Sequence, residues 1–458
     1  MKRQALAVVC LLSLALSAAP APAQMLDARR LGMGGVATSD NGASRTANIA
    51  FRAVPNGLRT RSIPLPIGLI QYIGDHPTFD TSDPDFNIFE ILNLVTNPPL
   101  TLSLSEPDEV SGDISIFVAR DSLRVDLDDV RRAIPEEPWR QGGVYHLMSV
   151  GIGMKNFFAQ VVPTIHVRNE FDLDPALRSA LRDAEPFVGN TRYGTTDDGE
   201  AQALVAWQAG MALRAFYRVP VDANVGDQDD PTADDPRRNG ATALYVGAAP
   251  KYFLGLAYGS LQGSAGITTG DTLFGSGDPV AIDMAVVTRN SAIGGDGGMG
   301  HGTGADVGGV FYYKNFELGL GINDLGSAIH WKTTVKQHVY SDSLNEFSSS
   351  TLGRDVEHTS RIPSVVTVNV ARRIGDMTIA ADLVDTKLRT TFHLGVERWL
   401  GNLALRGGAY RDTNGRWQMT GGTGLRFGGV GLDLAVATHS RNVEEERAAE
   451  LCASLTLY

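Results

Sequence analysis

The feature that most limits what this chain can fold into is the run from Pro363 to Thr438, where short segments alternate apolar with polar or small residues. Met377, Ile379, Ala381 and Leu383 alternate with Thr378, Ala380 and Asp382. Phe392, Leu394 and Val396 alternate with Thr391, His393, Gly395 and Glu397. Trp417, Met419, Leu425 and Phe427 share one phase, opposite Arg416, Gln418, Thr420 and Arg426. Val430, Leu432, Leu434 and Val436 oppose Gly431, Asp433, Ala435 and Ala437. Segments 366–372 and 403–411 fit nearly as well. A period of two marks strands with one apolar face. No helical pattern interrupts them, so neighbours should pair as antiparallel hairpins.

The connections give the strands a direction. They fall at 341–360, 373–375, 385–390, 400–402, 412–415, 428–429 and 439–448, long and short in strict alternation. Barrels of the bacterial outer membrane keep short turns on the periplasmic side and long loops outside. A soluble β-sandwich has no reason to sort its turns by length. On the barrel reading, the last strand, 449–458, runs from outside to periplasm.

Residues 1–23 carry the parts of a secretory signal. Lys2 and Arg3 start it, an apolar run extends from Ala5 to Ala19, and Ala21-Pro22-Ala23 offers a small-residue cleavage site. Cleavage is expected between Ala23 and Gln24, which leaves Cys452 as the sole cysteine of the mature chain and no internal disulfide. Beyond the signal no apolar run reaches 18 residues, which excludes membrane helices and says nothing against a barrel. With 51 glycines and 20% charged residues the composition suits a β-rich, turn-rich chain. The net charge of −12 comes with no basic patch, so no nucleic-acid partner is expected.

Two further regions carry short motifs. Near the start stands Ala28-Arg29-Arg30-Leu31-Gly32-Met33-Gly34-Gly35-Val36, followed by Asn48-Ile49-Ala50. Later come Gly304-Ala305-Asp306-Val307-Gly308 and Leu318-Gly319-Leu320-Gly321-Ile322-Asn323-Asp324-Leu325-Gly326. The closing run adds Ala381-Asp382, Leu394-Gly395-Val396-Glu397 and Leu405-Arg406-Gly407-Gly408-Ala409-Tyr410. In order and spacing these resemble outer-membrane barrels of the long-chain fatty acid transporter (FadL-like) class and its PorV-like and TraF-like relatives. The chain departs from them at Ile49, where they carry proline. The resemblance implies an all-β fold, a transmembrane antiparallel barrel of about 14 strands, with an N-terminal plug-like segment and a few short loop helices. The domains are then a signal at 1–23, an N-terminal segment at 24–61 and the barrel at 62–458.

Between these regions the strands continue. A strand is expected in 62–73, and short ones in 114–119 and 122–127. A hairpin spans 144–168 about Lys155-Asn156. A small helix follows Asp174-Pro175, and the longest alternating run covers 201–217. Segments 74–111, 221–240 and 341–360 read as outer loops.

No chemical site emerges. Gly295-Asp296-Gly297-Gly298-Met299-Gly300 satisfies GxGxxG, but a strand follows it, and phosphate binding there needs a helix N-terminus. The aspartates of 227–235 match no calcium loop and are broken by Pro231 and Pro236. His330 beside Trp331 reads as part of an interface girdle. No zinc motif or GxSxG elbow occurs, so neither enzyme activity nor a cofactor is expected. The polar strand faces should line the lumen, through Asp382, His393, Glu397, Arg406, Arg416, Gln418, Arg426 and Asp433. Such a lining serves a water path or a salt-bridged, packed interior equally well. The expected surroundings are outer-membrane lipid and the barrel-assembly machinery, which reads a terminal aromatic such as Tyr458. Two roles remain open: passage of hydrophobic molecules such as fatty acids, or docking of a secreted or conjugation-related protein.

Overall fold

The computed structural model describes residues 27–55, 61–65, 100–103, 114–119, 122–127, 138–146, 149–154, 156–219, 234–271, 280–293, 297–341, 346–387, 390–411, 417–438 and 448–457. The signal, its cleavage pair Ala23 and Gln24, most of 62–111, Arg416 and Tyr458 lie outside them.

The alternating segments become strands, and all pairings between them are antiparallel. The closing set is β14 (Val365–Ile374), β15 (Met377–Asp385), β16 (Thr390–Leu400), β17 (Leu403–Arg411), β18 (Trp417–Phe427), β19 (Val430–Thr438) and β20 (Ala448–Leu457), each beside the next. At nine to eleven residues each is as long as one membrane crossing requires. On its far side β20 pairs with β1 (Arg61–Leu65) and β2 (Leu100–Ser103), two halves of one row. A separate hairpin joins β3 (Ile114–Ala119) to β4 (Ser122–Leu127).

The middle of the chain builds a taller wall. β5 (Trp139–His146) and β6 (Val150–Met154) form one interrupted row against β7 (Phe157–Leu173). Then come β8 (Arg192–Arg218) and β9 (Thr242–Thr269), of 27 and 28 residues. β10 (Val280–Ala292) continues into β11 (Gly300–Tyr313) as one row between β9 and β12 (Phe316–Ser341). β13 (Glu346–Ser360) lies along the upper half of β12, and β14 along its lower half. At ~3.3 Å per residue, β9 is about 90 Å of chain, so this side projects well past a bilayer. Helix α2 (Pro175–Arg182), capped by the Asp174 carboxylate on the amide of Leu177, tops the wall between β7 and β8.

Two expectations need correction. Segment 341–360 is mostly strand: β13 occupies 346–360. Of segment 221–240, the described residues 234–240 lead into β9 at the same end as the tight turns 314–315, 375–376, 401–402 and 428–429, and not at the end expected for outer loops. The hairpin expected at 144–168 is present, with Met154 opposite Phe157 and Val144 opposite His166. Turn sorting still holds for β14 to β20, whose longer connections all lie at the opposite end.

The two faces of this sheet are inverted relative to a soluble protein. Leu318, Leu320, Val370, Leu394, Leu405 and Leu434 are between 38% and 48% exposed. Their neighbours Glu317, Asn369, His393, Glu397, Arg406 and Asp433 are buried. A continuous apolar belt outside and polar groups within is the arrangement of a membrane-spanning β-barrel. The core is therefore the lumen, and residues 27–54 fill it. Along this stretch run α1 (Ala28–Gly32) and two 3-10 turns, Gly42–Thr46 and Ile49–Ala53, capped by Asp27, Asn41 and Asn48. The segment touches β20 through the Ala28 amide on Ser454 and β7 through Arg52 on Gln160, so the inward faces surround it.

Candidate functional site: the filled lumen

The insert is seated on two tracks of glycine. Met33 and Gly34 lie directly on Gly395 and Gly408, where the backbones meet with no room for a Cβ. The Ala47 carbonyl lies in the same way on Gly321, and the Asn48 side chain fills the space beside Gly308. The Asn48 amide donates to the Gly309 carbonyl at 3.0 Å, while its oxygen caps the following turn at the Ala50 amide. Asn323 donates to the carbonyl of Thr46 at 2.8 Å. The sequence motifs are thus the two halves of one contact: the small-residue runs of the insert and the glycine-bearing strands that receive them. The turn after Asn48 forms with isoleucine at 49.

Charge locks the insert in place. Glu397 accepts from Arg29 Nε at 2.9 Å, Arg29 Nη2 at 2.6 Å and Arg406 Nε at 2.7 Å. Arg406 reaches on to Asp433 at 2.7 Å, and Asp433 accepts from Thr456 at 2.7 Å. Arg29 also pairs with Asp40 at 2.9 Å. A second tie joins the insert to the β8–β9 connection. Its short helix α3 (Pro236–Asn239) carries Arg237, which is paired with Asp235 at 2.7 Å, lies 3.8 Å from Asp40 and donates to Ser39 Oγ at 3.3 Å. Ser39 donates to Glu317, which also accepts from Tyr312 at 2.9 Å. The described end of the β8–β9 connection, α3, therefore packs against the insert through Arg237.

These ties show in the insert's ionisation. Burial opposes the charged form of Asp40, but Arg29 and Arg237 outweigh it and hold the carboxyl well below its usual range. Burial likewise opposes charge on Arg29, and Asp40 and Glu397 more than restore it. Arg52, stacked 4.2 Å over Phe158, is brought down to about 10 by burial and the nearby Arg45.

Of the residues singled out from sequence, Asp382, His393, Glu397, Arg406, Gln418 and Asp433 are buried on the inward face. Asp382 accepts the Ala37 amide at 2.5 Å, and His393 Nδ1 lies 2.7 Å from the Gly34 carbonyl. Gln418 accepts from Tyr410. Arg426 is half-buried near the tight-turn end. Sequence reasoning missed the partners on the insert, Arg29, Ser39 and Asp40, and also Arg237 and Glu317. Strand alternation names a face but not what covers it.

Above the insert the lumen changes character. Leu204, Phe253, Ile329 and Trp331 project inward and pack with Val144, Val162, Tyr258, Ile362 and Val365. Trp331 is 2% exposed, so it is a lumen residue and not part of a girdle. Its ring lies against Gly255 and Gly300, its Nε1 donates to Ser360 at 2.8 Å, and the Tyr258 ring packs against it at a tilt, 5.3 Å away. Beneath this apolar layer Lys251 is held between Asp306 and Asp324, each at 2.7 Å. The wall is broken at this level: 361–364 separates β13 from β14, opposite the bend of β12 at Asp324 and Gly326, which both take positive φ.

These features define a membrane-spanning β-barrel whose lumen holds a polar-locked insert below and an apolar layer above. No family model matches the sequence, and no curated protein matches it. Three chains of solved structures do match. One is the P. putida toluene transporter TodX, 12% identical over 66% of this chain and 87% of that one, with a TM-score of 0.27. Another is the translocation pore of the P pilus usher PapC, 9% identical over 78% of each chain, with a TM-score of 0.21. At these scores the likeness carries no argument, and the class rests on the chain's own geometry.

Proposed function

We propose that this chain is an outer-membrane transport barrel, closed at rest by residues 27–54, that passes small hydrophobic molecules such as fatty acids. The observation that carries this reading is the apolar layer around Trp331 and Phe253, which lies above an insert tied to the wall by buried ion pairs. A lumen that only had to be filled could have continued its ion pairs upward. An inward apolar layer is a resting place for an apolar solute. Passage is passive and involves no covalent step. The solute enters beneath the tall wall and rests against Trp331. It leaves sideways at the break near 361–364, or downward once Arg29 leaves Glu397. The tight-turn end faces the periplasm. A scaffold for a secretion or conjugation partner has less support, since it needs no apolar layer inside.

The test is uptake of a labelled fatty acid by cells with the intact chain, with residues 27–54 deleted, or with no chain. Loss of uptake in the null strain and altered uptake in the deletion support transport. Unchanged uptake in the absence of the whole protein sinks it. A stoichiometric protein partner on crosslinking, with no co-purified lipid, favours the scaffold.

A further inference from the structure

The outward face changes at the tight-turn end. Along the membrane belt the outward positions of β12, β14 and β16 are apolar: Leu318 and Leu320, Val368 and Val370, Leu394 and Val396. Within two residues of the strand ends the same face turns cationic. Arg218 ends β8, Lys314 sits in the turn between β11 and β12, Arg372 lies near the end of β14 and Arg398 near the end of β16. All four are exposed. They come from neighbouring parts of the wall, so they make a continuous arc.

Two of them are pinned against exposed aromatic rings. The Arg372 guanidinium sits 4.6 Å from the centre of Phe316, its cross-strand partner. The Lys314 ammonium sits 5.2 Å from the centre of Tyr313. Both rings belong to the outward face, at 38% and 47% exposed. A cation laid on an aromatic at the edge of an apolar belt is placed at headgroup depth, its stem in the acyl region and its charge at the surface. Among the described residues no carboxylate lies within ion-pair distance of the four, and the exposed carboxylates at this end are Asp234 and Asp376.

We infer that this arc of Arg218, Lys314, Arg372 and Arg398 binds the phosphates of anionic phospholipid in the leaflet on the tight-turn side. The cations lie within two residues of the strand ends, they are exposed, and they continue a surface that is otherwise apolar and lipid-facing. A soluble or cell-wall partner has no need of cations that border an apolar belt. The arc stands apart from the lumen, so it holds whether or not the barrel transports anything.

The full chain is reconstituted into vesicles of equal phosphatidylcholine and phosphatidylglycerol, extracted mildly, and its retained lipids are counted by native mass spectrometry. Retained lipid should favour phosphatidylglycerol severalfold. R218Q, K314Q, R372Q and R398Q should each lower that preference about two- to fivefold, and the quadruple variant should abolish it. Lys332→Gln with Arg354→Gln, exposed on the tall wall, should leave it unchanged. Heat-modified gel migration checks that each variant is folded; if the quadruple variant is not, the four single variants decide. Equal retention of both lipids by the unaltered chain overturns the inference. So does an undiminished preference in the folded variants, or a loss confined to binding of peptidoglycan fragments.

Discussion

Glu397 is the hub of the lock, and replacing it with glutamine gives a worked prediction. The side chain keeps its shape and loses its charge. Three charge-assisted hydrogen bonds from Arg29 and Arg406 end on it, and Trp399 Nε1 adds a fourth at 3.0 Å. Removing one member of a buried ion pair costs about 3–5 kcal/mol when the other is left unpaired. Here neither arginine is abandoned, because Arg29 keeps Asp40 and Arg406 keeps Asp433. The amide oxygen of glutamine also still accepts. Both points place the cost at the low end, about 3 kcal/mol, or roughly a hundredfold in the population of the released state. The loss falls unevenly. Arg406, Asp433 and Thr456 all belong to the wall and stay linked, whereas Arg29 is the insert's ion-paired tie to that part of the wall. The insert should therefore release before the wall unfolds. Limited trypsin digestion reads cleavage at Arg29 and Arg30, and gel mobility after graded heating reads the wall. Glu397→Gln should raise the cleavage rate by one to two orders of magnitude with a much smaller change in the heating transition. Equal protection in both proteins, or loss of both together, refutes the reasoning.

Two other outcomes follow from the same contacts. Asp40 has a folded pKa below its unfolded value of about 3.9, so its stabilisation is complete above that value and fades as pH falls below it. Release of the insert, read by pepsin cleavage within 27–54 while the chain is held in acid, should increase below pH of about 4 in the native chain and be flatter with pH in Asp40→Asn. Gly408→Ala sets a methyl against the Gly34 amide and the Met33 carbonyl carbon, so it should cost about 1–3 kcal/mol through overpacking. A lowered heating transition in detergent checks it.

The alternation in 363–438, the tight turns and the absence of long apolar helices were readable in one dimension, because each depends on residues one or two apart. They were enough for strands, for antiparallel pairing and for the identity of the inward face. Asp382, His393, Glu397 and Asp433 were legible for that reason. The motif runs near residues 32–35 and 304–326 were legible as patterns but not as partners. Only the folded chain shows glycine meeting backbone there, because the contact joins residues hundreds of positions apart. Strand ends were harder. Segment 341–360, rich in serine and threonine, is held as a strand by pairing with β12, since ladder hydrogen bonds are indifferent to its weak apolar pattern. The end of the wall at which 234–240 lies depends on counting strands through rows made of two strands each, which local periodicity does not reveal.

Trp331 shows the division most clearly. Its sequence position, beside His330 at what looked like a strand end, suits a membrane girdle. In the fold β12 continues to Ser341, the odd-numbered inward phase of Glu317 and Asn323 carries on past the bend at Asp324 and Gly326 to Ile329 and Trp331, and the ring sits in the lumen against Gly255 and Gly300. Sequence alone determined that this chain makes a sheet with one apolar and one polar face, because side chains alternate along any strand. Tertiary structure decided what the inward polar face closes on: residues 27–54, held through Arg29 and Ser39. What covers that face depends on how the sheet curls and what it encloses, and that is a property of the whole ring.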